Sequence, residues 1–301
     1  MYHIPVLLQE GIDGLMVRPG GTYLDVTYGG GGHSREILRR LGPEGRLFAM
    51  DQDPEALKNE EADPRLVLIR GNFRFLSNFL RYHGVEQIHG LFADLGVSSH
   101  HFDVPGRGFT FQAEAPLDMR MNPNARQKAS QILNEYTEER LFALFAEYGE
   151  IENARSLAAK IVKFRQDTSL KTNLDLIAAA GNCVPRFAEH KYLARVFQAL
   201  RIEVNGELIN LRALLEQAVK VLLPGGRLSI ITYHSLEDRM VKQFVRQGQF
   251  QGEAEKDIYG RVRLPFRAMN SRVITPSATE IASNPRARSA KLRVAERNKE
   301  E

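Results

Sequence analysis

Four consecutive glycines, Gly29 to Gly32, stand between an apolar run and a helix-patterned one in Thr27-Tyr28-Gly29-Gly30-Gly31-Gly32-His33-Ser34. Glycine loses more backbone entropy on folding than any other residue. A run of it inside ordered structure therefore marks a backbone that turns tightly or approaches something closely. The stretch before it, Thr22 to Thr27, reads as a buried strand, and Ser34 to Leu41 reads as a helix. A glycine loop that opens a helix after a strand lies at the edge where open parallel sheets take their ligands. Amides at such a helix start favour anionic groups, a carboxylate among them.

The same rhythm repeats. Arg46 to Asp51, Arg65 to Arg70 and Ile88 to Asp94 read as further strands, and Pro54 to Glu61 and Phe75 to His83 as the helices between them. This alternation predicts an α/β fold whose mostly parallel sheet is covered on both faces. A fifth strand, Gly226 to Thr232, follows a helix at Gly206 to Leu222 that Pro224-Gly225-Gly226 ends. That single helix suffices for a right-handed crossover. Roughly a hundred residues between Phe102 and Asn205 are thus surplus to any ordinary loop. They carry helical patterns at Thr137 to Tyr148, Ile151 to Arg165, Leu174 to Gly181 and Tyr192 to Ile202. The expectation is a helical subdomain over 126–204, suited to substrate recognition, inserted into a core made of 1–125 and 205–301.

A length of 301 residues allows one large domain or two ordinary ones. No run of eighteen apolar residues occurs, and MYHIPVLLQEG lacks the pattern of an export signal, so a cytoplasmic protein with no membrane partner is expected. One cysteine, Cys183, excludes an internal disulfide framework and Cys-based metal sites. The eight histidines show no HExxH spacing, and no metal is expected. A net charge of +4 permits nucleic acid as a partner without demanding it. Basic residues thicken between Asn284 and Lys299, as either a solvated surface or a contact region.

The second strand ends in Asp51, placed to accept hydrogen bonds from ribose hydroxyls, while Asp53-Pro54 cap and start the next helix and leave Asp51 free. Loop and acid together predict a nucleoside cofactor, either S-adenosylmethionine or a nicotinamide dinucleotide. A purely structural turn is the third reading. Gly29, Gly31 and Ser34 match the dinucleotide pattern G-x-G-x-x-G imperfectly. The fourth strand ends in Asp94-Leu95-Gly96-Val97-Ser98-Ser99, and an acid followed by small residues suits a methyltransferase. His234 ends the fifth strand at the same edge, open to orienting a base or phosphate, with Ser235 and Asp238 spaced as a capping box behind it.

In order along the chain, HIPVLLQE, TYGGGGHS, AMDQDP, DLGVSS, RGFTF, PLDMRM, RVFQALRIEVNGEL, GGRLSIITYHSLEDR and NPRARSAKLR resemble the ribosomal RNA small subunit methyltransferase H family, the bacterial 16S rRNA cytosine-N4 methyltransferases. The resemblance implies a class I methyltransferase core that uses S-adenosylmethionine and carries a helical insertion. Cofactor positions then fall on Gly31, Gly32, His33, Asp51, Phe73 and Asp94. A further one falls on His101, where the family usually has glutamine. The implied substrate is a decoding-centre cytosine of 16S rRNA within the small ribosomal subunit. Asp94 and His234 are the candidates for setting the reacting amine. Arg107, Phe109 and Phe111 are suited either to stacking on the RNA or to anchoring their own loop, and Arg286 and Arg288 to phosphate contacts, with Arg195 and Arg201 adding to that surface. The rivals are another S-adenosylmethionine-dependent RNA or DNA amino-methyltransferase and a catalytically idle assembly factor on the same fold, although RNA binding alone needs neither the glycine loop nor Asp51.

Overall fold

The computed structural model describes residues 5–59, 61–97, 104–111, 114–254 and 259–299. Two compact units divide the chain, Met1–Gly96 with Leu208–Glu301 as one and Val97–Glu207 as the other.

The first unit is built on a seven-stranded sheet: β1 (Thr22–Asp25), β2 (Arg46–Asp51), β3 (Leu66–Arg70), β4 (Ile88–Asp94), β5 (Leu222–Thr232), β6 (Phe266–Ala268) and β7 (Lys291–Arg297). Their spatial order is β3-β2-β1-β4-β5-β7-β6. Strands β1 to β5 run parallel, and β7 runs antiparallel to both β5 and β6. Successive side chains leave a strand on opposite faces. Leu24, Phe48, Leu91 and Ala93 accordingly pack under the helices Leu76–Tyr82, Glu207–Val221 and Ser235–Gln247. Tyr23, Leu47 and Phe92 pack on the other side, with residues of the helices Leu8–Leu15 and Gly32–Arg40. Buried on both faces, the central strands read as unbroken apolar runs, which is why periodicity locates β2 and β4 to the residue. The expected mostly parallel sheet, wound on both faces, is the one the chain forms.

Three elements depart from expectation. Pro54 to Glu61 forms only a short 3-10 turn at Ala56–Asn59. Pro224-Gly225-Gly226 lies inside β5, which starts at Leu222, instead of ending a helix. The basic stretch near residue 290 is a strand, not a solvated run. In β7, Leu292, Val294 and Ala295 are buried, while Lys291 and Arg293 pair with Asp238 at 3.4 and 2.7 Å. Its charges hide an alternating pattern whose apolar members face the core.

The second unit holds the helices Ala129–Glu135, Glu138–Glu147, Ala154–Asp167, Asn173–Ala180 and Glu189–Asn205 around a separate apolar core. It starts at Val97, so the boundary expected at residue 126 is corrected. Leu117, Met119 and Met121 are buried in its core. The Leu117 amide donates to Lys171 O at 2.8 Å, and Asn205 receives the Met121 amide at 2.8 Å and donates to Met119 O at 2.8 Å. That segment has neither helical nor strand periodicity, so nothing in its sequence announces which core it joins. Among the described residues no helix is long and apolar enough to cross a membrane.

Candidate active site

Beyond β1 the chain stays in the sheet briefly, with the Val26 amide donating to Phe92 O and the Tyr28 amide to Met50 O. The glycine loop then turns. Gly29 has φ +51° and Gly31 φ +75°, a region that L side chains enter only at a cost. Gly31 is the residue from which the helix Gly32–Arg40 starts. A Cβ on Gly31 would come within 2.9 Å of the Tyr28 hydroxyl, and one on Gly32 would overlap Pro5 Cγ, whereas Gly30 has open space where its Cβ would stand. The loop is therefore packed from within at two positions and unobstructed at the one between Gly29 and Gly31.

Asp51 fixes this loop. Its Oδ2 accepts from the Gly29 amide at 2.9 Å, and its Oδ1 from the Asp53 amide at 2.9 Å. The expectation of a carboxylate free for ligand is corrected to one already tied to the backbone at both oxygens. The Gly71 amide donates to Asp51 O at 2.9 Å, which brings the loop after β3 alongside. Phe73 follows in a 3-10 turn, half-buried against the apolar face of the sheet.

Asp94, at the end of β4, meets side chains from three other parts of the chain. Its amide donates to Thr27 Oγ1 at 2.7 Å, and its Oδ1 accepts from the Tyr233 hydroxyl at 2.8 Å. His33 Nδ1 lies 3.9 Å from Oδ2, the His33 ring stacks 4.5 Å from Phe92, and its Nε2 contacts Val6 O at 3.0 Å. Burial pushes the Asp94 pKa up to about 7. The Tyr233 hydrogen bond works against that rise, and the Asp25 and Glu237 carboxylates add to it.

Asp25 and Tyr233 were missed in the sequence. Asp25 is wholly buried, accepts from Ser34 Oγ at 2.7 Å and from the Thr27 amide at 3.0 Å, and is raised by burial to about 6. The signal was an acid within the apolar TYLDVT run, a costly placement without partners. Tyr233 had none.

Gly31, Gly32, His33, Asp51, Phe73 and Asp94 thus share the carboxyl edge of one sheet. His234 takes a different part from the one expected: its ring, not Ser235, caps the helix Ser235–Gln247. Nδ1 accepts from the Glu237 amide at 3.4 Å, and Nε2 faces Glu237 Oε1 at 3.2 Å. Glu237 Oε2 accepts from the Tyr233 amide at 2.9 Å, and Asp238 pairs with Arg293. His101 lies outside the described residues.

Arg107, Phe109 and Phe111 belong to the helical unit. Phe109 is buried in its core, and the Arg107 guanidinium donates to Arg120 O and Met121 O at 3.0 and 2.9 Å. Both are placed as loop anchors, one of the two roles open to them. Phe111 is half-buried, its ring 5.1 Å from those of His190 and Phe197. Arg201 is ion-paired with Glu207 and so does not extend the basic surface as expected, and Arg195, partly exposed, donates to Glu150 O. Arg286 and Arg288 are exposed in the sheet unit, on a 3-10 turn at Pro285–Ser289.

The model of the MraW methylase family matches residues 1–298. The ribosomal RNA small subunit methyltransferase H of Parabacteroides distasonis is 53% identical over 297 residues, covering 98% of this chain and 97% of that one. Its namesake in Flavobacterium johnsoniae is 51% identical over 296 residues, 98% of each. A solved rRNA methylase from Streptococcus thermophilus is similar at 13% identity and a TM-score of 0.41, covering 99% of this chain and 100% of that one. An architecture wound for a ligand at its carboxyl edge, a glycine loop tied to an acid there, and a family match along almost the whole length converge on one statement: this chain belongs to the MraW methylase family.

Proposed function

We propose that this chain methylates the exocyclic N4 of a decoding-centre cytosine in 16S rRNA, within the small ribosomal subunit, using S-adenosylmethionine in the cytoplasm. Its relatives carry the name of small-subunit rRNA methyltransferases, which supports rRNA methylation. The carrying observation is Asp94. It is a carboxylate with a pKa near neutrality, at the same strand edge as the glycine loop.

The residues fit the cofactor. The loop leaves open space at Gly30, the helix start at Gly31 offers amides to a carboxylate, and Asp51 holds the loop from the end of the neighbouring strand, where ribose hydroxyls would lie. Bound there, S-adenosylmethionine would supply an electrophilic methyl group, its S–CH3 bond breaking as the N–CH3 bond forms and S-adenosylhomocysteine leaving as a neutral thioether. Asp94 accepts a hydrogen bond from the cytosine amine, which localises the nitrogen lone pair, and it takes the proton the nitrogen gives up as the N–C bond forms. A group with a pKa near 7 is poised for both tasks. His33, held by Val6 O and Phe92, stands beside Asp94 Oδ2 with Nδ1 3.9 Å away. The helical unit serves substrate recognition, and Arg286 and Arg288 supply phosphate contacts.

Methylation at cytosine C5 is the contrasting chemistry, and it commonly needs a cysteine thiolate to attack the ring. Cys183 is buried in the helical unit with Ser156 Oγ 3.4 Å from its sulfur, the place of a packing residue. The test is to incubate the protein with unmodified small subunits and S-adenosylmethionine, then to identify the nucleoside by mass spectrometry. N4-methylcytidine is expected. A 5-methylcytidine product, or no methylated cytidine, refutes the reading.

A further inference from the structure

We infer that Tyr233 is a positioning residue for methyl transfer, tying Oδ1 of Asp94 so that Oδ2 alone serves the reacting amine. The inference rests on Asp94 being the amine's acceptor.

Three contacts hold Tyr233 from three sides. Its amide donates to Glu237 Oε2 at 2.9 Å, which anchors it to the start of the helix Ser235–Gln247. Its ring lies against the backbone of Gly96, where a Cβ would come within 2.9 Å of Tyr233 Cδ2, and Gly96 has φ +119°. Its hydroxyl donates to Asp94 Oδ1 at 2.8 Å. The strand ends are themselves joined, since the Leu95 amide donates to Ile231 O at 2.9 Å. One aromatic side chain therefore braces both the acid and the turn that follows it.

The chemistry asks for such a brace. A carboxylate swings about its terminal torsion and presents either oxygen. Occupying Oδ1 with a fixed donor removes that degeneracy and leaves Oδ2, beside His33 Nδ1, as the acceptor. A phenol suits the task because it stays protonated. Burial and the carboxylates of Asp94, Glu237 and Glu280 hold it well above the ordinary phenol range. Asp94 is faced by Tyr233, His33, Asp25 and Glu237, and the Tyr233 bond holds its pKa down against burial and the two acids.

The test uses the whole protein, unmodified small ribosomal subunits and S-adenosylmethionine. Y233F is expected to lower kcat about tenfold, the scale of a lost orientation, with both the Kd for S-adenosylmethionine and the KM for subunits within about twofold of the parent. The acid limb of its kcat–pH profile moves to higher pH, because Asp94 loses a bond that lowers its pKa. Replacing Tyr233 by 3-fluorotyrosine keeps the shape and strengthens the donor, so that limb moves to lower pH. Unmoved profiles, profiles that move the same way in both variants, or a Y233F whose kcat falls only in step with cofactor affinity overturn the inference. D94N separates the two readings: a D94N protein with full activity refutes Asp94 as acceptor, whatever Tyr233 does.

Discussion

The amide of Gly29 donates to Oδ2 of Asp51 at 2.9 Å, across 22 positions of sequence. The turn after β1 and the end of β2 are therefore one piece, and whatever moves the acid moves the loop.

D51A removes the loop tie and, with it, the acceptor proposed for ribose. Charged hydrogen bonds contribute about 1.5–3 kcal/mol each, so cofactor affinity is expected to fall at least about tenfold. D51N keeps one acceptor oxygen and lands between. Calorimetry with S-adenosylmethionine reads both, and an unchanged Kd in D51A refutes the assignment.

Gly30 and Gly31 separate ligand from fold. Alanine at Gly31 meets Tyr28 and a left-handed backbone, and the strain of about 1–2 kcal/mol lowers Tm by roughly 2–6 °C. Alanine at Gly30 meets open space, so G30A should keep its Tm and lose cofactor affinity. Thermal melts beside calorimetry decide; a destabilised G30A with normal binding contradicts this.

Buried acids set a pH dependence of stability. Burial raises Asp94 to about 7 and Asp25 to about 6, from an ordinary 3.8. A folded-state pKa above the unfolded one means the native chain holds the extra proton between the two values. These acids therefore favour folding fully below pH 4, and that advantage is lost as pH climbs to about 7. D94N, which never charges, should melt higher than the parent at pH 8 by about 3 °C, with the gap closing toward pH 5. A gap that is constant with pH rules out this origin.

Cys183→Ser tests the chemistry from the other side. A packing cysteine tolerates the change, so near-normal methyl transfer is expected. A folded, cofactor-binding but inactive variant points to a thiolate instead.

Arginines at Arg286 and Arg288 are read through salt. Replacing both by alanine should raise KM for subunits and reduce the slope of log affinity against log salt by about 2, one for each phosphate contact. A KM and slope equal to the parent's exclude them from the RNA contact.

The sheet was legible because its central strands are buried on both faces, and an uninterrupted LFAMD or GLFAD permits little else. Strand β7 was not, since Lys291, Arg293 and Arg297 punctuate it with charges whose partners, Asp238 and the carbonyls of Val219 and Pro265, come from distant chain. The loop and its acids could be named from spacing alone. Tyr233 could not, because its meaning lies in Asp94, a contact that only the folded chain creates, and Asp25 showed only as an acid out of place in an apolar run until Ser34 was seen to bond it. His234 shows the converse: its position at the strand edge was readable, but its use as a helix cap depended on which of two neighbouring residues begins the helix.

Strand β7 pairs with β5, while β1 to β4 lie more than a hundred residues upstream of both. On a ribosome adding roughly 5–20 residues per second, β1 waits on the order of ten seconds or more for the sheet to be completed. The helical unit draws only on Val97–Glu207, so its core closes while β5 is still unmade. Until β7 arrives, β5 carries an unpaired edge, the kind of surface that recruits foreign strands. Translation thus finishes the two units in the reverse of the order in which it begins them.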